Sequence, residues 1–301
     1  MSASAQPEHP VVSGILLLDK PVGLSSNAAL ARAKRVLGLR KAGHTGTLDP
    51  LASGLLALCF GEATKVAGFL LDSNKAYLAE ATLGVVTDSE DAEGEVLERK
   101  PVADFSRADI EAALACFRGP IEQVPPMHSA LKHQGQRLYE LARRGETVDR
   151  PPRPVTIHAL DLVEFALPRL SLHIACSKGT YVRSLIRDLG RQLGCGAHMS
   201  ALRRTESQPF SLEQAVSLAQ LEQLDRESAR ALLLSPDQAL QHLPAMRLEA
   251  ESARRLLQGQ RLAGLAILPP GLVRVYAEAV FLGIGQTDGE GRLRPKRLFA
   301  S

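Results

Sequence analysis

The chain has no tryptophan, and only four tyrosines, four cysteines and four methionines in 301 residues. The cysteines, Cys59, Cys116, Cys176 and Cys195, are far apart and form no C-x-x-C pair. This favours free, mostly buried thiols in a reducing cytosol. No apolar run is long enough to span a bilayer. The opening MSASAQPEHP lacks the basic start and apolar stretch of a secretory signal, so residues 1–12 read as a flexible tail. Phosphate-cradling patterns of the G-x-x-x-x-G-K-[ST] and G-x-G-x-x-G types are missing, which leaves nucleotide-cofactor binding little support. No His or Cys stands at ligand spacing beside His44, so no metal is expected. The acidic stretch DSEDAEGE lacks calcium-loop spacing and reads as a solvated turn. Internal repeats are absent. Charge of one sign is scarce too: the net charge is +3, which permits a polyanionic partner without requiring one.

Apolar residues make up 45% and charged residues 23%, an ordinary soluble balance, and the length allows one or two cores. GILLLDKPVG predicts a buried strand stopped by Pro21 and Gly23. SSNAALARAKRVLG predicts a helix capped by Ser25 or Ser26 and ended by Gly38. SRADIEAALACFRG predicts another, from Ser106 to Gly119, and YVRSLIRDLGRQLG a third ending near Gly194. LLALCFG, KAYLAEATLGVVTDS, VTIHALDLVEFAL and RLSLHIACSKGT read as strands. Residues 123–153 are proline-rich at both ends and basic throughout, the mark of a surface excursion. Short helical stretches at 217–224 and 226–234 lead to a break near Pro244, and a small β-rich unit occupies 245–301. Strands and helices mix without strict alternation, which predicts an α+β fold with its main unit over 13–244.

One stretch isolates a single acid. AGHTGTLDPLASGLL places Asp49 among small residues, with a proline after it. Asp49-Pro50 favours extended angles at Asp49, and Gly43, Gly46 and Gly54 permit tight turns and close approach. An aspartate before proline is commonly a turn-starter; the same loop also presents one carboxylate on a stiff frame. His44 suits a base, a ligand or a stacking surface. Tyr77 and Tyr181 stand out because tyrosine is scarce, although a core role is the ordinary one. Lys178 and Arg183 flank Tyr181 at a strand-to-helix junction, where backbone amides suit an anion. Basic residues cluster at Arg32, Lys34, Arg35, Arg40 and Lys41, and again at Lys132, Arg137, Arg143, Arg144, Arg150 and Arg153. Two such clusters beside a glycine-rich loop raise the case for nucleic acid.

The blocks GILLLDKPVGLSSN, KAGHTGTLDPLASGLL, KAYLAEATLGVVTDSEDAEGEV, PPMHSALKHQGQRLYELARRG and CSKGTYVRSLIRDLG with LGCGAHMSALRRT occur in one order over about residues 13–213. Together they resemble the bacterial TruB-type tRNA pseudouridine synthases. The resemblance implies a pseudouridine synthase catalytic domain with a mixed, mainly antiparallel sheet, a thumb-like insertion at about 123–153, and a PUA-like C-terminal domain. It implies conversion of uridine 55 in the T arm of tRNA to pseudouridine, by base flipping and an essential aspartate, with no cofactor. Asp49 matches that aspartate and Arg183 the arginine paired with it. Tyr77 matches the tyrosine that stacks on the base, and Tyr181 the one near C5. Leu202 matches a leucine lining the uracil pocket, and His44 the histidine that enters the RNA where the base leaves. Lys20 is expected to give structural support or backbone contact. Lys132, Arg137, Arg143, Arg144 and Lys178 are expected to meet phosphates. The implied partner is tRNA, held at the T arm and, through the C-terminal domain, at the acceptor end; no membrane and no obligatory protein partner are expected, and the enzyme is a cytoplasmic monomer. His128 departs from the P-M-Y-S-A pattern of many members, which bears on local RNA contacts more than on chemistry. Two rival readings are a guide-RNA-dependent pseudouridine synthase and a catalytically silent RNA-binding relative.

Overall fold

The computed structural model describes residues 12–299 apart from Ala130 and Arg143, so residues 1–11 of the expected tail, and Arg143 of the expected phosphate contacts, lie outside the described residues. Strand β1 (Gly14–Lys20) is buried along nearly its whole length, as its apolar run predicts. Helix α1 (Ser26–Leu37) starts at Ser25, whose hydroxyl accepts from the Ala28 amide, and stops at Gly38 in the left-handed region with φ 65°. After β2 (Ala42–His44) and the Asp49 loop come β3 (Ala52–Phe60), α2 (Ala67–Leu71) and β4 (Lys75–Leu83). Strands β5 (Val85–Thr87) and β6 (Val96–Arg99) bracket the acidic stretch. Helix α3 (Arg107–Ala115) carries a reciprocal cap between Ser106 and Asp109. It ends before Gly119, which has φ 86° and opens β7 (Gly119–Gln123).

The basic excursion follows, with β8 (Lys132–His133), β9 (Gln136–Arg137) and α4 (Leu138–Ala142). Then come β10 (Arg153–Ala166), β11 (Arg169–Cys176), α5 (Val182–Gln192) and β12 (Ala197–Ser207). Strands β13 (Phe210–Ser211) and β14 (Val216–Ser217) and helices α6 (Leu218–Gln223) and α7 (Arg226–Ala231) complete the main body. The last segment holds β15 (Ala245–Leu248), α8 (Ala250–Leu257), β16 (Gly271–Ala277), β17 (Val280–Thr287) and β18 (Leu293–Leu298).

The main sheet runs β14-β1-β3-β12-β4-β11-β10-β7, with β2 on β3 and β13 on β12. Only β1–β14 and β3–β12 are parallel, so the sheet is mixed and mainly antiparallel. Alternation along β1 divides its side chains between two cores. Leu16 and Leu18 pack with α1 and α6, whereas Ile15 and Leu17 pack with Leu55, Ala57, Val66 and Leu70 on the opposite face. A third cluster holds α3 and α5 against β4, β10, β11 and β12. The excursion leaves the sheet at Gln123 and rejoins it at Arg153, and these two residues are register partners in β7 and β10. The insertion is therefore rooted in one rung of the sheet.

Strands β15-β16-β17-β18 form a separate sheet with its own core around Leu256, Val273 and Val275. This sheet also contributes to the main body. Ile284 is fully buried with Ile15, Leu17 and Ala57, and Leu272, Phe281 and Phe299 pack against that cluster. The Tyr276 hydroxyl donates to Asp237 at 2.8 Å, and Lys65 Nζ donates to the Leu298 carbonyl at 2.6 Å. A tail that carries only RNA contacts would not share a core, so its removal should unfold part of the body as well. Ile284→Ala in the full chain should lower stability by about 2–5 kcal/mol. Urea unfolding checks this, and a loss below about 1 kcal/mol would show that the two sheets are energetically independent.

Candidate active site

The Asp49 loop is held from four directions. Ser26, inside the first turn of α1, donates its hydroxyl to the Leu48 carbonyl at 3.0 Å and accepts from the Leu48 amide at 2.7 Å. The Thr45 amide donates to the Ala57 carbonyl at 3.0 Å, and the Gly23 amide to the Pro50 carbonyl at 2.8 Å. Arg204 Nη2 donates to the Gly46 carbonyl at 3.2 Å and its Nε to the Leu55 carbonyl at 2.7 Å. Where β3 and β12 run side by side, Gly54 lies opposite Arg204 with φ 99°. A Cβ there would come within 2.3 Å of the Arg204 carbonyl oxygen, so the close approach needs glycine. The second half of the glycine-rich motif thus serves strand packing, and the first half presents the carboxylate.

Asp49 is half-buried, and its Oδ2 lies 3.1 Å from Arg183 Nη2. Arg183 is 6% exposed. Its Nη1 donates to the Ser89 carbonyl at 3.1 Å and to Asp91 Oδ2 at 3.3 Å, and its Nη2 donates to the His128 carbonyl at 2.7 Å. The reading of DSEDAEGE as a solvated turn is therefore wrong for its first half. Ser89, Glu90 and Asp91 are all buried. Glu90 accepts from the Ser184 hydroxyl at 2.8 Å and from Arg187 Nη1 at 2.5 Å, which ties the turn to the first two turns of α5. Buried guanidinium groups require nearby acceptors, and the turn supplies them. Arg183, although in the first turn of α5, is buried.

The pair opens onto a cleft of about 630 Å³ lined by Tyr77, Tyr181, Leu202, Arg204, Lys75 and Arg137, among others. A larger cleft of about 990 Å³, lined by Phe69, Phe210, His242 and Lys296 among others, lies between the main body and the C-terminal sheet, away from Asp49. Tyr77 sits on β4 opposite Arg204 of β12. Burial raises its phenol above the ordinary value, and the Arg204 charge works against that rise. Burial raises the Tyr181 phenol too, with Ser129 opposing. Leu202 and Arg204, two residues apart on one strand, share the cleft face, whereas Arg203 pairs with Asp19 at 2.7 Å. Arg204 is 2% exposed, and among the described residues no carboxylate lies within salt-bridge distance of it. Sequence reasoning stopped at Leu202 and missed Arg204, although strand alternation places both on one face. Lys75 is buried and caps α2, donating to the Leu70 and Leu71 carbonyls at 3.0 and 2.9 Å. Burial lowers its pKa to about 8.

Of the other expected residues described, Arg137 lines the cleft and the rest are not among its lining residues. Lys20 is fully buried and donates to the Pro21 and Leu24 carbonyls at 2.9 and 2.7 Å, with its pKa lowered by burial and raised in part by Asp49. His44 ends β2 half-buried, its Nδ1 enclosed without a partner among the described residues. Burial, and then the Arg204 charge, lower its pKa, so the ring is neutral at neutral pH. Lys178 is exposed and pairs with Asp72 at 2.8 Å. Arg137 is exposed on β9 with its guanidinium 6.0 Å from the Tyr139 ring centre. Lys132 lies in β8. Arg144 pairs with Glu146 at 2.6 Å and with Gln136 at 2.8 Å.

Known proteins define the class. Residues 34–182 match the N-terminal domain of the TruB family pseudouridylate synthases. Residues 183–241 match the tRNA pseudouridylate synthase B C-terminal domain, and residues 244–299 the C-terminal segment of pseudouridine synthase II TruB. The fold and these family matches are those of a pseudouridine synthase, an isomerase. The chain is 52% identical to tRNA pseudouridine synthase B of Stutzerimonas stutzeri over 96% of both proteins. It is also 52% identical to the protein of that name from Aromatoleum aromaticum, over 100% of this chain and 98% of that one. The chain belongs to the TruB family. A solved structure of an H/ACA RNP bound to a substrate RNA containing 2′-deoxyuridine has a chain with a TM-score of 0.72 at 25% identity, over 96% of this chain and 85% of that one.

Asp91→Asn removes one charge beside Arg183 and weakens the bonds that Asp91 accepts from Ser89 and the Glu93 amide. It should cost about 1–3 kcal/mol of stability in urea unfolding. An unchanged midpoint would show that the Ser89 and His128 carbonyls and Asp49 suffice to hold the guanidinium.

Proposed function

We propose that the protein converts uridine 55 in the T arm of tRNA to pseudouridine. The observation that carries this reading is the lone carboxylate. Among the described residues lining the cleft, Asp49 is the one acid, and a buried arginine aims it. A glycoside hydrolase uses two carboxylates, because one protonates the leaving group while the other attacks or activates water. Uracil leaves as a stabilised anion and returns through C5, so no water and no second acid are needed. Asp49 acts on the sugar side, either by attack at C1′ or by removal of the C2′ proton.

Tyr77 offers a ring for the displaced base. Extruding a base costs a few kcal/mol, and stacking returns about 1–3 kcal/mol. Tyr181, whose phenol is raised by burial, enters as a neutral hydroxyl. It assists loss of the C5 proton as a hydrogen-bond partner, because a phenolate base is disfavoured there. The neutral ring of His44 suits the space that the base vacates. Lys296 and Arg297 are exposed at the edge of the larger cleft, and we read them as contacts for the acceptor end. The relatives at 52% identity are tRNA enzymes by name, which favours tRNA over a guide-RNA-dependent role. The intact Asp49–Arg183 pair opposes a silent relative. Among the described residues no helix is long and apolar enough to cross a membrane. We read the protein as a cytoplasmic monomer that needs no obligatory protein partner.

Tritium release from tRNA transcripts bearing 5-tritiated uridine tests the reading. Purified protein alone should release label from wild-type transcript and none when position 55 is cytidine; release from both would refute the site assignment. Asp49→Asn should bind tRNA like the parent and release none. Tyr77→Phe should keep much of the rate and Tyr77→Ala lose most of it, and equal losses would show that the hydroxyl matters more than the ring.

Phosphate contacts in the insertion are tested by salt. Each lost contact removes up to about 0.7–0.9 from the slope of log affinity against log salt. Arg137→Ala should flatten the slope more than Arg144→Ala, since Arg144 is already engaged by Glu146 and Gln136. Equal slopes would mean that both side chains are solvated bystanders.

A further inference from the structure

The peptide of Tyr181 is held by a side chain from a distant strand. Gln123 ends β7, is 2% exposed, and stands at the rung where the insertion leaves the sheet. Its Oε1 accepts from the Tyr181 amide at 2.8 Å, and its Nε2 donates to the Tyr181 carbonyl at 3.0 Å. The two bonds decide which way round the amide sits, because a peptide N–H needs an acceptor and its carbonyl a donor. Tyr181 is the N-cap residue of α5, and its own side chain makes no capping bond. Its carbonyl also receives the Leu185 amide at 3.1 Å. The peptide that starts the helix and carries the tyrosine ring therefore rests on Gln123.

The same root reaches the site through backbone atoms. The His128 carbonyl accepts from Arg183, and the Val124 carbonyl accepts from Arg187 at 3.2 Å. Arg150, near the far end of the insertion, donates to the Pro125 carbonyl at 3.2 Å. These contacts are indifferent to the side chain at position 128, so histidine there leaves the Arg183 bond untouched. Of these contacts, that of Gln123 reaches the backbone of a cleft-lining tyrosine through a side chain.

We propose that Gln123 is a positioning residue for Tyr181, coupling the root of the basic insertion to the placement of that ring in the cleft. A shift of the insertion that moves Gln123 off its rung opposite Arg153 would release the Tyr181 peptide and turn the ring out of place. The inference rests on the reading of Tyr181 as a residue of the reaction site. It assigns the insertion a second task besides RNA contact: RNA that seats the insertion also sets the tyrosine.

Two variants of the full chain separate the amide from its bulk. Gln123→Met keeps volume and loses both bonds; Gln123→Glu keeps the acceptor and loses the donor. Hydrogen exchange at the Tyr181 amide should speed up by about tenfold or more in Gln123→Met and less in Gln123→Glu, while the later turns of α5 keep their protection. The single-turnover rate on tRNA should fall roughly ten- to a hundredfold in Gln123→Met, with tRNA affinity within about twofold. In a Tyr181→Ala background, Gln123→Met should cause little further loss, because the ring it places is gone. Full additive loss in that double variant would show a general structural role and overturn the proposal. So would unchanged exchange and rate in Gln123→Met. If the parent protein forms no pseudouridine, the proposed function fails, and the exchange measurement still decides whether Gln123 holds the peptide.

Discussion

A guanidinium withdrawn from water must find acceptors on every side, and Arg183 finds them in three stretches of chain that are remote in sequence. Asp49 comes from the glycine-rich loop, Asp91 and the Ser89 carbonyl from the acidic turn, and the His128 carbonyl from the insertion. Losing any one would leave a buried charge short of a partner, a penalty of about 1–3 kcal/mol. The site is therefore built around the arginine more than around the aspartate it aims. Glu90 extends the same logic one turn further along α5, where it takes up Arg187 and Ser184. The acidic turn, α5 and the insertion are thereby locked into one electrostatic unit.

The sheet supplies the second constraint. Parallel pairing of β3 with β12 brings Gly54 against the backbone of Arg204, and the same strand sends Leu202 and Arg204 toward the cleft. Antiparallel pairing of β12 with β4 then sets Tyr77 beside Arg204. One strand thus anchors the Asp49 loop through the Arg204 side chain and furnishes the wall across from it. Among the described residues Arg204 has no carboxylate partner within salt-bridge distance, and the Leu55 and Gly46 carbonyls hold its guanidinium. Burial makes the nearby Lys20, Lys75 and His44 easier to deprotonate than usual, and the Arg204 charge adds to the effect in each.

Much of this was legible in advance, and the exceptions share a cause. The helix at 26–37 follows from an apolar stripe between a serine cap and a glycine stop, all within fourteen residues. The isolated Asp49 in its glycine-rich frame was visible as an oddity, and family likeness marked the residues around it. DSEDAEGE was misread because acids in a short polar run are usually solvated. Nothing local reports that Arg183, 92 residues from Asp91, needs a counter-charge. The β-rich tail looked separable because its strands are short and its charges basic. Its Ile284 and Phe281 belong in part to a core that also holds Ile15 and Leu17 from the start of the chain and Phe210 and Leu240 from much further on.

The sequence by itself determined the principal strands and helices, the excursion between Gln123 and Arg153 though not the elements inside it, and the placing of one acid on a stiff loop. These depend on backbone preferences and on spacing within a dozen residues, which any reader of the chain can measure. Tertiary structure alone decided which acids are buried, that Arg204 shares the cleft with Leu202, that Gln123 carries the Tyr181 peptide, and that the two sheets share a core. Those outcomes depend on which distant segments displace water from a given side chain, and that displacement exists only once the chain has closed on itself.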